Sequence, residues 1–383
     1  MTTAADLIRH EIRQRGPIPF VDYMGLALYA ADSGYYERPG RVGREGDFFT
    51  SVSVGRLFSE LVAFQIREWL CAMEKRVSRA AVPKWQLVEC GANDGVLGVE
   101  VLEALQKSSG NDLRPVELVF LEPSPTRRRW QEETVSGRRE GSGKALPVRW
   151  CRDWDELGTV HGVIFSNELL DAFPCHRVAW DATGRRWRET GVGLEGDRFV
   201  WTPLESPGNP EILADPHLNL PDGLLDVLPD GFATELNPAA SDWWRAAANS
   251  LEEGWLLAFD YGLTREEFFM PQRADGTLRA YSKHRLKPDV LDRPGEQDLT
   301  AHVNFTAIEQ AGIAAGLTTD AFDFQGRFLT RSAQKVWAAP GAVPWDASRI
   351  AQFKTLVHPE HMGRSFRVLA QRRGEGGSIS VGG

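Results

Sequence analysis

The sequence is poor in the residues that build metal centres and covalent cross-links. It has four cysteines and eight histidines in 383 residues. Cys71, Cys90, Cys151 and Cys175 show no paired spacing, and Cys90 falls in a predicted buried strand, so neither disulfides nor a zinc site is expected. The histidines form no H-E-x-x-H motif, and no Ser-His-Asp or Cys-His constellation stands out. The sequence therefore gives no sign of metal-dependent or nucleophilic catalysis.

Long apolar runs and an excess of positive charge are also lacking. No stretch approaches the ~20 apolar residues of a membrane span. The formal net charge of −9 argues against broad nucleic-acid binding and mildly favours a cationic substrate. The first residues, MTTAADLIRHEIRQRG, have no apolar signal region, and they carry Asp6 and Glu11, unlike an acid-poor transit peptide. We therefore expect a soluble protein of the reducing cytoplasm.

One strand-turn-helix stretch, WQLVECGANDGVLGVEVLEAL, organises the chain. It begins with a short apolar run that predicts a buried strand, and it ends with apolar residues at helical spacing. The polar turn between them, residues 91–95, has no β-carbon at Gly91 and Gly95, and Asn93 tolerates a positive φ. Such a turn lets a ligand approach the backbone and the N–H groups at the start of the helix. An ordinary βα loop is the alternative interpretation.

An acidic residue ends the next predicted strand. ELVFL, residues 117–121, is followed by Glu122, where nucleoside-binding folds keep an acid for the ribose hydroxyls. The turn does not match the dinucleotide motif G-x-G-x-x-G, because Asn93 stands at the second glycine, and G-x-x-x-x-G-K-[ST] is absent. A nicotinamide oxidoreductase is therefore the weakest hypothesis. The E-x-G-x-x-x-G turn followed by an acid instead resembles the S-adenosylmethionine site of a class I methyltransferase.

Predicted strands and helices alternate along the chain, with antiparallel hairpins inserted late. This pattern predicts an α/β fold: a Rossmann-like class I methyltransferase sheet with a helical N-terminal segment and antiparallel and loop insertions. Residues 205–229 are rich in proline, aspartate and leucine and predict a surface loop, and residues 263–299 show no periodicity and predict a long loop. The expected segments are an N-terminal helical segment covering the cofactor site (1–80), the first half of the core (81–174), an antiparallel insertion (175–230), the second half of the core with an inserted loop at 263–300 (231–373), and a disordered tail (374–383).

Eight motifs in order resemble the MidA-like family of class I S-adenosylmethionine-dependent methyltransferases, which includes a mitochondrial complex I assembly factor that methylates an arginine. They cover roughly residues 16–330. The motifs are GYY (34–36), GDFFTS (46–51), the E-x-G turn (89–95), LEPSP (121–125), NELLDAFP (167–174), FDYG (259–262), GTLRAY (276–281) and GEQDLTAHVNF (295–305). The chain departs from the family pattern at Ala92-Asn93, usually Pro-Gly, at Val52, usually proline, and at Asn304, often aspartate.

The resemblance implies S-adenosylmethionine as cofactor. In this interpretation the main chain of the turn meets the methionine end, Glu122 accepts the ribose hydroxyls, and the segment after the third strand borders the adenine. There, Trp150 either stacks on the adenine or packs in the core, and Asp153 bonds the exocyclic amine. The cofactor-binding residues so implied are Gly46, Asp47, Phe48, Thr50, Glu89, Gly91, Ala92, Asn93, Gly95, Glu122, Trp150, Asp153 and Asn167.

Methyl transfer from a sulfonium needs no protein nucleophile, only alignment in a dry site. An arginine acceptor adds one demand, because its protonated guanidinium needs a carboxylate to localise the charge and help remove a proton. Glu168 is the first candidate and Asp171 the second, with Asn167 beside them and His302 lining the substrate. The alternatives are that Asp171 caps a helix, that Asn167 ties down a loop and that His302 is structural.

The main hypothesis is therefore a protein arginine methyltransferase acting on a partner protein. No nucleic acid, metal or membrane span is expected, and a homodimer is left open. A non-catalytic assembly module with the same fold, and a methyltransferase with a small-molecule acceptor, are the competing hypotheses. The sequence identifies neither the acceptor nor the number of methyl groups.

Overall fold

The computed structural model describes residues 2–38, 50–109, 112–138, 143–206, 209–282, 285–339 and 341–374. Three of the predicted cofactor residues, Gly46, Asp47 and Phe48, lie outside these ranges. The predicted disordered tail also lies outside them, except for Gly374.

Helices and strands alternate along most of the chain. The helices are α1 (Ala4–Arg15), α2 (Phe20–Tyr29), α3 (Ser51–Val54), α4 (Arg56–Glu74), α5 (Val96–Ser109), α6 (Pro125–Ser136), α7 (Trp154–Leu157), α8 (Asp222–Leu225), α9 (Pro238–Ser250), α10 (Arg265–Phe268), α11 (Phe305–Ala314), α12 (Gln325–Ala338) and α13 (Ala347–Val357). The strands are β1 (Ile18–Pro19), β2 (Trp85–Cys90), β3 (Val116–Leu121), β4 (Val148–Cys151), β5 (Val160–Asn167), β6 (His176–Asp181), β7 (Arg186–Glu195), β8 (Arg198–Pro203), β9 (Ala233–Leu236), β10 (Leu251–Leu263), β11 (Arg279–Ser282), β12 (Arg285–Lys287), β13 (Asp298–Thr300), β14 (Val303–Asn304), β15 (Thr318–Phe324) and β16 (Phe366–Arg373).

The described residues pack into two compact units, each built from three separate stretches of chain. The parallel-sheet unit takes Thr50–Leu169, Trp243–Tyr261 and the described part of Glu309–Gly383. The antiparallel-sheet unit takes Leu170–Asp242, Gly262–Ile308 and the described part of Met1–Phe49. Sequence segments that are adjacent along the chain therefore belong to different units.

The parallel-sheet unit is built on a sheet with the strand order β15-β16-β10-β5-β2-β3-β4. Strands β10, β5, β2, β3 and β4 run parallel, whereas β16 is antiparallel to both of its neighbours. The strands are apolar because helices cover both faces of such a sheet, and Leu87, Val163 and Leu257 are almost fully buried in its core. This sheet confirms the predicted Rossmann-like fold.

A glycine separates the short helix α3 from the long helix α4. This residue, Gly55, adopts φ +140°. From there α4 is a continuous amphipathic helix that buries Leu57, Leu61 and Trp69, and Trp69 stacks on Trp255 of β10 at 5.2 Å between ring centroids. Apolar residues at helical spacing thus form the buried face of α4.

The antiparallel-sheet unit contains a sheet in the order β1-β7-β6-β9, with β8 also paired to β7. The hairpins predicted after residue 175 are confirmed as β6, β7 and β8. The loop predicted at 205–229 is instead packed into the core, because Ile212, Leu218 and Leu228 join an apolar cluster with Phe268.

The loop predicted at 263–299 is also wrong. It contains α10 and a small antiparallel sheet in the order β12-β11-β13. These strands have three or four residues each, which is too short for the alternation of polar and apolar residues to be recognised in the sequence.

Among the helices of the described residues, none combines the length and apolar character that crossing a bilayer requires.

The pairing of β2 with β5 begins at a glycine, Gly162. Gly162 of β5 has φ +146°, and a β-carbon there would lie 2.0 Å from the carbonyl oxygen of Gln86. We expect Gly162→Ala to lower the free energy of unfolding by at least about 3 kcal/mol, through backbone strain and steric overlap together. Urea unfolding measures the loss.

Gly158→Ala is the matched control for that variant. Gly158 has φ +69° in the same unit, and a β-carbon added there would have no atom within 4 Å, so we expect a loss of only about 1 kcal/mol. Equal losses in the two variants would contradict the role assigned to close packing at Gly162.

Candidate functional site

The candidate site lies at the carboxyl ends of two central strands of the parallel-sheet unit. Strand β2 pairs with β3 on one side and with β5 on the other, and Cys90 is in register with Ser166. The chain order of the strands therefore reverses between β2 and β5, which is where open α/β sheets form a ligand crevice. The glycine turn follows β2 there, and Asn167 ends β5.

The turn adopts the left-handed backbone that the sequence predicted. Gly91, Asn93 and Gly95 have φ values of +69°, +49° and +79°, and the Gly95 N–H donates to the Ala92 carbonyl at 2.7 Å. Glycine is also required for packing, because a β-carbon at Gly95 would lie 2.9 Å from the Phe120 ring. The Asn93 departure therefore leaves the turn intact, since asparagine tolerates this conformation.

Glu89, on the strand before the turn, holds the start of the helix that follows the turn. Its buried carboxylate accepts the N–H of Gly98, in the first turn of α5, at 2.9 Å. A β-carbon at Gly98 would lie 2.3 Å from the same oxygen. Burial raises the pKa of Glu89, and the Gly98 hydrogen bond opposes this shift. The side chain thus fixes the start of α5, and direct contact with a cofactor stays a prediction.

Glu122, which follows β3, is a buried carboxylate with three donors. It is 4% exposed. Oε1 accepts the Ser124 N–H at 2.9 Å and Arg127 Nε at 3.2 Å, and Oε2 accepts Gln131 Nε2 at 3.0 Å. Burial raises its pKa, and Arg127 opposes that shift more than any other group. A carboxylate has about four lone-pair positions, so capacity remains for a hydroxyl donor.

Gln131 of α6 is part of this site, although the sequence reasoning missed it. It is fully buried, and it is the one buried residue of that helix. Its Nε2 also donates to the Asn93 carbonyl at 3.1 Å, and its Oε1 accepts Trp150 Nε1 at 3.0 Å. The sequence did contain one signal for it: the helix that follows Glu122 has no apolar face. Such a helix packs through polar side chains, so one of them is expected to be buried.

Trp150 and Asp153, the predicted adenine neighbours, differ in their surroundings. Trp150 is half-buried, and its ring centroid lies 5.8 Å from that of Phe120. Asp153 caps α7: its Oδ1 accepts the Glu156 N–H at 2.9 Å, and this bond is the largest cause of its lowered pKa. The structure brings Trp150 together with Glu122 through Gln131, whereas Asp153 acts as a helix cap.

Asn167 and Glu168 form the other side of the crevice. Asn167 Nδ2 donates to Glu168 Oε1 at 3.0 Å, and the same oxygen accepts the Ser51 N–H at 3.0 Å. Glu168 has φ +53°, and its own N–H donates to the Phe259 carbonyl at 2.8 Å. Thr50, another predicted cofactor residue, caps α3 by accepting the Ser53 N–H. The acid therefore sits at the start of α3, in a constrained backbone.

The side-chain amide oxygen of Asn167 is the strongest indication of a ligand. Oδ1 is buried, and it has no hydrogen-bond partner among the described residues. Because Nδ2 is committed to a carboxylate, Oδ1 stays an acceptor, and a buried acceptor without a donor is costly.

Asp171 and His302 both belong to the antiparallel-sheet unit. Asp171 is buried in the 3₁₀ turn Leu170–Ala172, and its carbonyl accepts the Ala301 N–H at 2.9 Å. The His302 N–H donates to Thr277 Oγ1 at 3.1 Å. Burial, with a smaller contribution from Arg279, lowers the pKa of His302 to about 4, so its ring is neutral near pH 7. The catalytic roles of both residues stay predictions.

His302 also borders a polar cleft within the antiparallel-sheet unit. His217, Glu235, Asn237 and Asn304 line it as well. The His217 ring is buried. Its Nδ1 lies 2.8 Å from Asn304 Nδ2, and its Nε2 lies 3.4 Å from Thr234 Oγ1. No cluster of three metal-ligating side chains occurs in the part of the chain that the structure describes.

Comparison with known proteins shows which family the chain belongs to. Residues 61–323, well over half of the chain, match the model of a family described as S-adenosyl-L-methionine-dependent methyltransferases. The chain belongs to this family. It is an S-adenosylmethionine-dependent methyltransferase, as the ordered motifs predicted.

Curated relatives extend the match over nearly the whole chain. The protein arginine methyltransferase NDUFAF7, mitochondrial, of Mus musculus is 26% identical over 408 residues, which cover 97% of this chain and 86% of the relative. The Xenopus tropicalis protein of the same name is 28% identical over 96% of this chain and 86% of its own length. A crystal structure of a Burkholderia thailandensis protein bound to S-adenosyl-homocysteine is 30% identical, covers 99% of this chain and 95% of that one, and has a TM-score of 0.80.

The residues of the methyltransferase crevice fit its cofactor. The turn has the left-handed backbone that glycine permits, the buried Glu122 keeps acceptor capacity for hydroxyls, and Asn167 Oδ1 has no donor among the described residues. S-adenosylmethionine carries hydroxyl and ammonium donors of this kind. The predicted cofactor is therefore confirmed for the methyltransferase, while the residue assignments stay predictions.

The predicted cytoplasmic location is wrong. The curated relatives of the methyltransferase are named as mitochondrial proteins. Unpaired cysteines indicate only a reducing environment, and composition does not say which compartment supplies it.

Buried neutral histidine makes the stability of the methyltransferase depend on pH. Burial lowers the pKa of His217 from 6.5 to about 4, so below pH 6.5 the unfolded chain binds a proton that the folded chain refuses. The stabilisation is complete above pH 6.5 and is lost as the pH falls towards 4, by up to about 3 kcal/mol. Urea unfolding at pH 7.0 and 4.5 should therefore show a smaller pH-dependent loss for His217→Gln than for wild type.

His358→Gln, at an exposed position, is the control and should retain the wild-type dependence on pH. A His217→Gln protein that loses as much stability as wild type between the two pH values would contradict the assignment.

Proposed function

We propose that this methyltransferase transfers a methyl group from S-adenosylmethionine to an arginine side chain of a partner protein. Support comes from curated relatives named as protein arginine methyltransferases, which match over nearly the whole chain. The net charge of −9 is compatible with a cationic acceptor. The observation that carries the proposal is the Glu168 carboxylate, held at the carboxyl end of β5 beside the glycine turn.

The proposal assigns the donor side of the crevice to residues of the parallel-sheet unit. When bound, the cofactor supplies a methyl group on a positively charged sulfur. The main chain of residues 91–95 holds the methionine end, and Glu122 accepts the ribose hydroxyls with the lone pairs that Ser124, Arg127 and Gln131 leave available. Trp150 borders the adenine. Because these groups are fixed by one another, they hold the donor in one orientation.

The acceptor side requires a carboxylate for a specific reason. A guanidinium is protonated near pH 7, and its nitrogen lone pairs are delocalised. In the proposal Glu168 binds the guanidinium and localises its charge, and Asn167 Oδ1 accepts one of its N–H groups or the donor's ammonium. Transfer to the arginine nitrogen would form a C–N bond, break the C–S bond and release S-adenosylhomocysteine, and Glu168 would take the proton that the nitrogen loses and pass it to solvent.

The remaining predictions concern other residues and partners. Asp171 remains the second candidate acid, and His302 remains a candidate substrate contact. The homodimer and the absence of nucleic-acid binding stay predictions. A small-molecule acceptor and a non-catalytic module are outcomes of the tests below.

Glu122→Ala tests the cofactor assignment. We expect its affinity for S-adenosylhomocysteine, measured by calorimetry, to fall about tenfold or more, since ribose hydroxyls lose a charged acceptor. Glu117→Ala is the matched control, because Glu117 lies on β3, the strand that Glu122 follows, but pairs with Lys84 and Arg149. Wild-type affinity in Glu122→Ala would refute the pocket as assigned.

Glu168→Gln tests the acceptor assignment. The amide retains an acceptor for the Ser51 N–H but carries no charge, so we expect S-adenosylhomocysteine affinity within about twofold of wild type and methyl transfer reduced about a hundredfold or more. The assay measures label passing from S-adenosylmethionine into methylarginine in a lysate of the source cells.

Asp155→Asn, at an exposed acid of α7, should transfer methyl groups as wild type does. Label found on a small molecule or on another amino acid would refute the arginine acceptor. No wild-type incorporation into any acceptor, with cofactor binding intact, would favour the non-catalytic module.

A further inference from the structure

We propose that Gln131 is a positioning residue that holds the three cofactor-contacting parts of the crevice in register. Its side chain joins the glycine turn, the ribose-binding acid and the adenine-side tryptophan, so all three depend on one amide. The inference rests on the proposed cofactor roles of Glu122 and Trp150. It adds to the site a residue that lies outside the quoted motifs.

The hydrogen bonds of Gln131 fix the orientation of its amide. Nε2 donates to the Glu122 Oε2 carboxylate oxygen at 3.0 Å and to the Asn93 carbonyl at 3.1 Å, and Oε1 accepts the Trp150 indole N–H at 3.0 Å. An indole nitrogen only donates, and a carboxylate near neutral pH only accepts. A flipped amide would place donor against donor and acceptor against acceptor, so one arrangement satisfies all three partners.

Each bond constrains a different part of the proposed cofactor site. The bond to Asn93 holds the peptide of the one non-glycine residue with positive φ in the turn, where the strain of a left-handed backbone must be offset. The bond to Glu122 occupies one lone pair of Oε2 and directs the carboxylate. The bond to Trp150 sets the rotation of the indole ring, which also packs on Phe120.

Burial and three hydrogen bonds do not by themselves distinguish a positioning role from a structural one. Gln131 is fully buried, and what sets it apart is the identity of the groups that its amide joins. Its three partners come from three separate segments, and each is a predicted cofactor contact. The test must therefore separate cofactor positioning from general stabilisation.

The chain supplies a matched control in Gln371 of β16. This amide is also fully buried in the parallel-sheet unit. Its Oε1 accepts Trp244 Nε1 at 2.7 Å, and its Nε2 donates to the Glu309 carbonyl and to Thr319 Oγ1, both at 3.0 Å. The hydrogen-bond chemistry is nearly the same as at Gln131, but none of its partners is a proposed cofactor contact.

The first experiment compares Gln131→Met with Gln371→Met. Both variants remove three buried hydrogen bonds, so both should have a lower melting temperature. Calorimetry with S-adenosylhomocysteine should show affinity about tenfold or more weaker for Gln131→Met and within about twofold of wild type for Gln371→Met. Equal affinities in the two variants would overturn the positioning role.

The second experiment uses Gln131→Glu, which conserves shape. A carboxylate 3.0 Å from Glu122 would share a proton with it at low pH, because repulsion between two charges at that distance favours the singly protonated pair. The protonated pair restores a donor to Glu122 and its deprotonation removes that donor, so S-adenosylhomocysteine affinity should approach wild type at pH 5.5 and fall about tenfold relative to wild type at the higher pH where the proton is lost. Gln131→Met and Gln371→Glu should not show this added pH dependence.

A Gln131→Glu affinity that follows wild type at every pH would overturn the inference, even if Gln131→Met fails to fold. The result for Glu122→Ala separates this failure from failure of the proposed function. Weak binding by Glu122→Ala with unchanged binding by both Gln131 variants would refute the positioning role and leave the pocket assignment standing. Unchanged binding by Glu122→Ala would refute the pocket assignment itself.

Discussion

The parallel pairing of β2 with β5 is the constraint on which the site depends. Because Cys90 is in register with Ser166, the glycine turn after β2 and the Asn167-Glu168 pair after β5 must leave the sheet side by side. From this pair the chain adds β3 and β4 on the β2 side of the sheet and β10 on the β5 side. A crevice at the carboxyl ends of β2 and β5 is therefore a consequence of topology. Close backbone approach at Gly162 allows that pairing to start where it does.

Burial of charge is the second theme of the site. Glu89 and Glu122 are both almost inaccessible, and desolvation raises the pKa of each. The protein offsets this cost with fixed donors: a helix N–H for Glu89, and a backbone amide, a guanidinium and the Gln131 amide for Glu122. Such donors need no reorganisation when a ligand arrives, which is how a methyltransferase aligns its reactants without a nucleophile of its own.

The sequence predicted local backbone better than the packing around it. The turn after the first strand of the sheet and its positive φ at Asn93 are local properties, and both are found. The strands at 279–282 and 298–300 were missed because strands this short leave no period, and partners distant in sequence define them. The predicted cytoplasmic location was wrong because cysteine content indicates a reducing environment and does not identify the compartment.

The sequence by itself determined the class of protein: the order of strands and helices, the glycine turn, the acid after the next strand and the ordered family motifs are all contained in it. Only the tertiary structure decided that Gln131 joins three of those parts, that Asp153 caps a helix, and that the Glu168 carboxylate meets the start of α3. The reason is physical. Backbone conformation follows from nearby residues, whereas the partner of a buried polar group is set by whichever distant segment packs against it.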